Sequence, residues 1–263
     1  MKMNERNKKF IITVDVETGE LTEPTANNFD TLVRDPVLRF AEKLGRHGLK
    51  ATFFMNVYES FVYGLEPWRS LCKKVSDFGY EVGLHTHPRY FHPSKKKNMW
   101  EYSLCQQVSI IQTGKDMLEQ FTGQQIRVHR AGNYGANIDT LTALRWNAIT
   151  IDSSLYKGFP DCKLSYLAND KPFKWFGVTE IPITVRLVKQ QHSHIPLLRK
   201  VWLRRIDLKE ARDTDFSQLP NPIIITGHSF DMPPSQELDL LLNYISQIGE
   251  CMDLREVEKG LKY

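Results

Sequence analysis

Short apolar runs alternate with helical patterns along most of this chain, and this alternation is its strongest constraint on folding. The first run, residues 10–17, is rich in β-branched residues and ends in carboxylates, which is typical of a buried strand whose end meets solvent. Residues 34–47 then follow a helical period that is closed by Gly48, as expected for an amphipathic helix. Repeated strand and helix patterns predict parallel βα units, with the helices packed outside the sheet.

The same pattern continues to about residue 248. We predict further strands at residues 50–57, 80–84, 126–129, 149–152, 178–188 (interrupted by Pro182) and 222–228, and further helices at 67–78, 98–121, 137–146 and 234–248. Residues 161–177 lack a clear period, and we expect substrate specificity to arise from the long, aromatic, weakly periodic stretch 161–215. With 263 residues and 41% hydrophobic content, the chain fits one α/β barrel-like domain spanning 1–263.

Polar side chains fall at the carboxyl ends of the predicted strands. They are Asp15, Glu17, His85, His87, Arg130, Asp152 and His228. One such residue carries little weight, since a buried strand can end in aspartate merely to cap the next helix. Carboxylate, histidine and arginine at the ends of five strands are harder to explain structurally, and in α/β barrels this end carries the catalytic face. We therefore predict one shared site.

His85 and His87 lie two residues apart at the end of one predicted strand. Side chains repeat their direction every second residue along a strand, so the two imidazoles can converge on a divalent ion. A lone H-x-H pair is more often a surface accident, so the prediction depends on the other strand ends. Zinc is the expected ion, because two imidazoles and a carboxylate suit it, although cobalt, nickel or manganese would fit similar ligands.

Composition limits the classes of partner and compartment. The chain carries a formal charge of +4, and its basic excess lies in the runs 95–97 and 199–205. We interpret both runs as solvated faces or loops, with no nucleic-acid partner; the second, which contains Trp202, has an anionic sugar polymer or a membrane surface as its alternative. The four cysteines are scattered, and residues 10–14 are too short for a signal-peptide core or a membrane span. We expect a cytoplasmic protein without a transmembrane segment.

Four segments, in this order, resemble motifs of the polysaccharide deacetylase (NodB-homology, carbohydrate esterase family four) superfamily. They are Thr13-Val14-Asp15-Val16-Glu17, His85-Thr86-His87, Arg130-Ala131-Gly132-Asn133-Tyr134-Gly135 and Thr226-Gly227-His228. The segment Asp152-Ser153-Ser154 resembles the aspartate-serine element that lines the cleft in that family. The resemblance covers residues 10–248 and implies a distorted (β/α)7 barrel with one divalent metal ion that hydrolyses N- or O-acetyl groups on sugars.

Residue roles follow from the resemblance. It implies that Asp15 is the catalytic base, that Arg130 orients this base and that His228 is the acid, with Glu17, His85 and His87 as metal ligands. We expect substrate contacts from Asn133, Tyr134, Asp152 and Ser153. The spacing leaves open an exchange of roles between Asp15 and Glu17, because residues two apart on a strand face the same way. His129 alternates to the other side from Arg130, which favours a packing role.

Three positions depart from the family pattern. Most members have two adjacent aspartates in the first motif, whereas Val16 takes the second place here and Glu17 follows it. Members usually space the metal histidines four apart, whereas Arg89 occupies that place here and His87 is the nearer substitute. The proline of the arginine motif is Gly132. These departures resemble the branch of cytoplasmic, O-antigen-cluster (WbmS-like) deacetylases.

The leading hypothesis is a deacetylase of an acetylated sugar, nucleotide sugar or glycan precursor in surface-glycan assembly. One alternative is a hydrolase of a non-peptide amide bond in a small metabolite, an activity that the same superfamily contains and that needs fewer metal ligands. Another is a non-catalytic carbohydrate-binding barrel that has lost the metal. Against the last, buried charges without a function are costly.

Overall fold

A computed structural model describes residues 8–19, 25–90, 94–167, 170–191 and 199–260. Its strands are β1 (Lys8–Val16), β2 (Thr52–Met55), β3 (Glu81–Thr86), β4 (Val128–Ala131), β5 (Ile151–Asp152), β6 (Phe173–Trp175), β7 (Val178–Glu180), β8 (Val185–Gln191), β9 (Arg199–Asp207), β10 (Ile223–His228) and β11 (Gly249–Met252). Its α-helices are α1 (Ala26–Phe29), α2 (Asp35–Arg46), α3 (Ser60–Tyr63), α4 (Leu65–Asp77), α5 (Leu104–Thr122), α6 (Ile138–Trp146), α7 (Ser235–Ile248) and α8 (Leu254–Gly260).

These strands form one mixed sheet in the order β6-β7-β5-β4-β3-β2-β1-β10-β9-β8, with β11 paired to the start of β1. From β7 to β9 all neighbouring strands are parallel, whereas β6 and β8 join the two ends of the path as antiparallel strands. The sheet curls into a half-barrel with helices around it. This is the α/β architecture that the sequence predicts.

The first strand lies at the centre of the sheet. Ile11, Ile12, Val14 and Val16 are fully buried, as expected for a parallel strand with β2 and β10 on its two sides. Helices α4 and α5 pack against β3. The strands that carry the predicted site residues are therefore held in the most buried part of the molecule.

Local chemistry explains the bounds of two predicted elements. The predicted strand at 178–188 is divided into β7 and β8 around Pro182, as the sequence predicts, because proline has no N–H to donate to the sheet. The predicted helix at 98–121 begins only at Leu104 in α5, where the Ser103 side chain accepts a hydrogen bond from the Gln106 N–H. A serine in this position stops the helix from extending further toward its N-terminus.

The basic run 199–205, which we interpreted as a solvated face or a loop, forms a strand. It is not a loop, since its backbone forms most of β9, which pairs with β8 as an antiparallel ribbon and with β10 as a parallel strand. Strand β11 and helix α8 follow the last predicted helix and were also missed. No helix of the described residues has both the length and the apolar character needed to cross a membrane.

Candidate metal centre and active site

Strand register places the predicted site residues at one edge of the sheet. Asp15 on β1 lies beside His228 on β10, and His85 on β3 lies beside Arg130 on β4. These strands are parallel, so their carboxyl ends meet on the same side of the half-barrel. Asp15, His85 and Arg130 are buried, and His228 is partly exposed.

Glu17, His85 and His87 form a buried cluster whose ligand atoms all lie within 4.8 Å of one another. Glu17 Oε2 is 2.7 Å from His87 Nε2 and 3.9 Å from His85 Nε2. Among the described residues, Glu17 Oε2 and both ring nitrogens of His87 have no aligned hydrogen-bond partner. Buried polar atoms normally have partners, so this group of unsatisfied ligand atoms fits a metal ion.

Protonation states in this cluster also suit metal binding. His85 Nδ1 is 2.9 Å from the Arg130 carbonyl oxygen, which only accepts, so Nδ1 carries the proton and Nε2 keeps its lone pair. Burial lowers the pKa of His85 to about 4. Burial alone would raise the pKa of Glu17, but the neighbouring histidines, His87 first, hold that pKa well below its usual range. An ionised carboxylate and neutral imidazole are ligands that zinc and similar divalent ions prefer.

Gly132 provides the space that the His87 ring occupies. A Cβ atom at position 132 would lie 2.4–2.6 Å from the Cε1, Nδ1 and Nε2 atoms of His87, closer than any non-bonded carbon contact permits. The two departures from the family pattern, His87 as the second histidine and Gly132 in place of proline, are therefore linked in space. The sequence showed both departures separately and gave no signal of their contact.

Asp15 and Arg130 form a buried ion pair beside the cluster. Arg130 Nη1 donates to Asp15 Oδ1 at 2.7 Å and to Thr13 Oγ1 at 3.0 Å, and the guanidinium also lies 4.2 Å from the centre of the Phe54 ring. Burial would raise the pKa of Asp15, but neighbouring positive charge, that of Arg130 first, outweighs it and lowers that pKa. Asp15 is therefore ionised and is held in one orientation by Arg130, as a base must be.

Ser153 supports Arg130, although we expected it to contact substrate. Its carbonyl oxygen accepts a hydrogen bond from Arg130 Nε at 3.0 Å, and its hydroxyl accepts one from Nη2 at 3.2 Å. Ser153 is fully buried and does not line the cavity described below. Its position one residue beyond β5 lets it contact Nε and Nη2 of the guanidinium, while Asp15 contacts Nη1.

Asp152 also lies away from the cavity that we expected it to line. It is fully buried, and its Oδ1 atom is 2.6 Å from His129 Nδ1 and accepts a hydrogen bond from the Ser154 hydroxyl at 2.8 Å. The Nε2 atom of His129 lies 3.0 Å from Thr86 Oγ1. His129 is thus a buried packing residue, as predicted, but one with two polar partners that join β3, β4 and β5.

Glu180 lies beside Asp152 and belongs to the same buried group of polar side chains. It is fully buried on β7, where its Oε1 atom accepts the Leu155 N–H at 2.9 Å. Burial first, and then the charge of Asp152, raise the pKa of Glu180 well above its usual value, so its carboxyl group is neutral. Nothing in the sequence pattern of residues 178–188 marked Glu180 as paired with Asp152.

A cavity of about 320 Å³ opens above the cluster. Its lining residues are Asp15, Glu17, His85, Ala131, Asn133, Tyr134, Tyr156, Phe159, Arg204, Arg205, Asp207 and His228. Asn133 and Tyr134 therefore lie where a substrate would contact them. The sequence-based site missed six of these twelve residues, namely Ala131, Tyr156, Phe159, Arg204, Arg205 and Asp207. Arg204 and Arg205 belong to the basic run 199–205, whereas Tyr156 and Phe159 precede the stretch 161–215 in which we expected specificity.

The cavity wall contains two strained residues and an aromatic group. Asn133 and Tyr134 have φ angles of 51° and 54°, a left-handed conformation that is costly for residues other than glycine and concentrates at functional sites. The Tyr134 ring packs edge-on against Tyr156 and Phe159, which stack on each other at 4.9 Å. Aromatic faces of this kind can stack against a sugar ring.

Glu59 supports the end of β1 that carries Glu17, and it was also missed from the sequence. It is fully buried, and its carboxyl oxygens accept the Thr18 N–H at 3.0 and 3.1 Å. Burial first, and then the charge of Glu17, raise the pKa of Glu59 to about 8. A neutral carboxyl group therefore anchors the chain one residue beyond Glu17.

Comparison with known proteins agrees with this geometry. The sequence profile of the polysaccharide deacetylase family matches residues 20–150. A protein from Mycobacterium smegmatis that is described as a polysaccharide deacetylase has a similar structure, with a TM-score of 0.66 and 17% identity over 99% of this chain and 92% of that chain. These findings support a relation of this chain to the polysaccharide deacetylase family. No curated protein sequence matches the chain.

Two further solved structures show the range of proteins with the polysaccharide deacetylase fold. Peptidoglycan deacetylase PdaC from Bacillus subtilis has a TM-score of 0.52 and 14% identity, over 97% of this chain and 92% of that chain. A CE4 family pseudoenzyme from Bacillus anthracis has a TM-score of 0.53 and 16% identity, over 96% and 66%. At these identities the likeness concerns the fold, and it confirms the predicted NodB-type α/β barrel. Because the pseudoenzyme shares it, activity must be argued from the site.

Proposed function

We propose that this chain is a metal-dependent hydrolase that removes acetyl groups from an N-acetylated sugar or a surface-polysaccharide precursor. The observation that carries the proposal is the buried cluster of Glu17, His85 and His87 beside the Asp15–Arg130 pair, in which Glu17 Oε2 and both ring nitrogens of His87 lack an aligned hydrogen-bond partner. A structural role would leave these atoms unsatisfied at considerable cost.

The residues divide the chemistry between them. Glu17, His85 and His87 would hold the ion, which supplies Lewis-acid activation of the acyl carbonyl when bound. Asp15 would take a proton from the attacking water, since its Oδ1 atom is fixed by Arg130. His228, whose Nε2 atom lies 3.9 Å from Asp15 Oδ2, faces the same space and would serve the leaving atom.

The cavity supports an acetylated sugar as substrate. Its volume of about 320 Å³ falls at the small end of ligand pockets, which suits one sugar unit at a time. Tyr134, Tyr156 and Phe159 offer aromatic surface on one wall, and Asn133 offers an amide to sugar hydroxyls. A nucleotide sugar or the end of a glycan precursor would place one ring here.

Three finer assignments accompany this proposal. We assign the chain to the WbmS-like branch on its departures from the family pattern. Two of these departures, His87 and Gly132, lie in contact with each other. We treat residues 1–263 as one catalytic domain. We propose that it works in the cytoplasm with zinc as its ion; the four cysteines are all unpaired, as is usual in a reducing compartment.

Metal analysis tests the proposal directly. We expect about one divalent ion per chain in wild-type protein purified without chelator or affinity metal, measured by mass spectrometry, and loss of this ion from a His85→Ala/His87→Ala variant. His47→Ala is the matched control, because His47 lies at the end of α2 near Asp239 and should leave the metal content unchanged.

Activity is tested next on the loaded protein. We expect acetate release from acetylated nucleotide sugars or glycan precursors by the wild type and none by the double histidine variant. A wild type without an ion, even after dialysis against zinc, would overturn the metal-dependent reaction. A full ion content without acetate release from any acetylated sugar would instead favour the metabolite hydrolase or the non-catalytic barrel.

A further inference from the structure

Arg205 contacts the His228 ring from the wall of the cavity. Its Nη2 atom lies 3.3 Å from His228 Nδ1, and its Nη1 atom donates to the Tyr134 hydroxyl at 2.8 Å. Asp207 Oδ2 lies 3.3 Å from Nη2, and the Tyr134 ring lies under the guanidinium at 5.6 Å. With 21% of its side chain exposed, Arg205 is held from several sides on the cavity wall.

The direction of the contact with His228 follows from the chemistry of arginine. A guanidinium has N–H donors only and keeps its charge in proteins. The Nδ1 atom of His228 must therefore act as the acceptor, which it can do only when it carries no proton. The single ring proton then lies on Nε2, the atom that faces Asp15 Oδ2 at 3.9 Å. An imidazolium would instead point an N–H at a cation.

We propose that Arg205 is a positioning residue that holds His228 as the neutral Nε2–H tautomer, so that His228 serves the reaction as a hydrogen-bond donor rather than as a proton donor. This inference rests on the proposed function and narrows the acid role that the sequence predicts. A neutral imidazole that released its Nε2 proton would become an imidazolate, which is not accessible near neutral pH. The proton for the leaving atom must therefore come from another group.

Asp15 is the group that can supply it. In hydrolysis of an acetamide, the water oxygen forms a bond to the acyl carbon while one water proton passes to Asp15. The carbon–nitrogen bond then breaks, and Asp15 returns this proton to the leaving nitrogen. The products are the free amine and acetic acid, which retains the second water proton until it ionises in solvent. His228 donates a hydrogen bond throughout and gains or loses no proton.

Nitrogen NMR tests the tautomer without any substrate. In full-length protein labelled with ¹⁵N-histidine, two-bond proton–nitrogen spectra distinguish a protonated from an unprotonated ring nitrogen, and loss of signals in His228→Gln assigns the residue. We expect Nε2 protonated and Nδ1 unprotonated at neutral pH. A proton on Nδ1, alone or together with Nε2, would overturn the inference.

Substitutions at position 205 test the cause. Arg205→Met removes every donor and should release His228 into a mixture of tautomers, whereas Arg205→Lys keeps a donor and should preserve the Nε2–H form. Arg186→Met is the matched control, because Arg186 on the neighbouring strand β8 pairs with Glu210 and is not among the residues that line the cavity. Unchanged His228 signals in a folded Arg205→Met protein would show that Arg205 does not set the tautomer.

Kinetics tests the role of His228 in the reaction. Glutamine presents an N–H donor but cannot act as an acid, so His228→Gln should keep kcat within about tenfold of wild type. A loss of about 10²–10⁴-fold, as expected when a general acid is removed, would overturn the donor role. Failure of the proposed function would appear separately, as absence of metal or acetate release with the NMR result intact.

Discussion

Replacing Arg130 by methionine should leave Asp15 as an uncompensated charge in the core. Arg130 is fully buried, donates to Asp15 Oδ1 at 2.7 Å, and satisfies the carbonyl and the hydroxyl of Ser153. Removing one partner of a buried pair costs about 3–5 kcal/mol. The Ser153 carbonyl loses its donor as well, at roughly 1 kcal/mol. We expect Arg130→Met to lower the free energy of unfolding by about 5 kcal/mol at neutral pH.

A double-mutant cycle separates the charge from the lost packing. Asp15→Asn removes the unpaired charge, so Arg130→Met/Asp15→Asn should be less destabilised than the sum of the single variants, with a coupling energy of about 3 kcal/mol. Urea unfolding of the four proteins, followed by circular dichroism, measures this coupling. A coupling below about 0.5 kcal/mol would refute the reasoning.

Acidity gives the same prediction a second test. In the wild type the pKa of Asp15 is lowered from 3.8, and Arg130 is the largest favourable contribution opposing burial. The Asp15 carboxylate therefore stabilises the fold above pH 3.8, and this contribution is lost as the pH falls through the lowered pKa of Asp15. Without Arg130, burial raises the pKa of Asp15, so the deficit of Arg130→Met should shrink between pH 7.5 and pH 5. A constant deficit would contradict this.

Three further predictions concern the surroundings of the cluster. Gly132→Ala should weaken zinc binding at least tenfold in equilibrium dialysis, because its Cβ would meet the His87 ring, whereas Gly45→Ala, where a Cβ meets only ordinary contacts, should not. Glu59 has its pKa raised to about 8 from 4.5, so metal-free wild type should lose stability as the pH rises from 5 to 8, and Glu59→Gln should lose less because only the contribution of Glu59 is removed; parallel pH curves would contradict this. Zinc at 100 times its dissociation constant should raise the free energy of unfolding by about 2.7 kcal/mol, and Glu17→Gln should reduce that gain in thermal unfolding.

The sequence predicted the parts of the molecule in which one local pattern decides the outcome. β1 and β10 could be found because their residues are buried on both faces, and their ends, Asp15 and His228, follow directly. The Glu17, His85 and His87 cluster could be found because period-two spacing and parallel strand ends bring these side chains to one place.

Residues missed from the sequence depend on contacts between distant segments. Arg205 lies in a charged run that we interpreted as solvated. It was missed because its position in the cavity wall depends on contacts with Tyr134 and Asp207. Glu59 and Glu180 were missed because their raised pKa values arise from burial and from neighbouring carboxylates, which the sequence does not show. Ser153 was expected to contact substrate because its segment resembles a cleft element, but its hydrogen bonds to Arg130 can be seen only once β4 and β5 are packed.

Arg130 joins strands that are not neighbours. It starts on β4, is fixed by Ser153 beyond β5, and reaches Asp15 on β1, with β3 and β2 lying between β4 and β1 in the sheet. The Arg130 side chain thus connects β4 and β5 with β1 across the concave face of the sheet. Any flattening of the sheet would lengthen the contact with Asp15 and raise the proton affinity of that carboxylate. The proton affinity of Asp15, which we propose as the base, therefore depends on how tightly the half-barrel is curled.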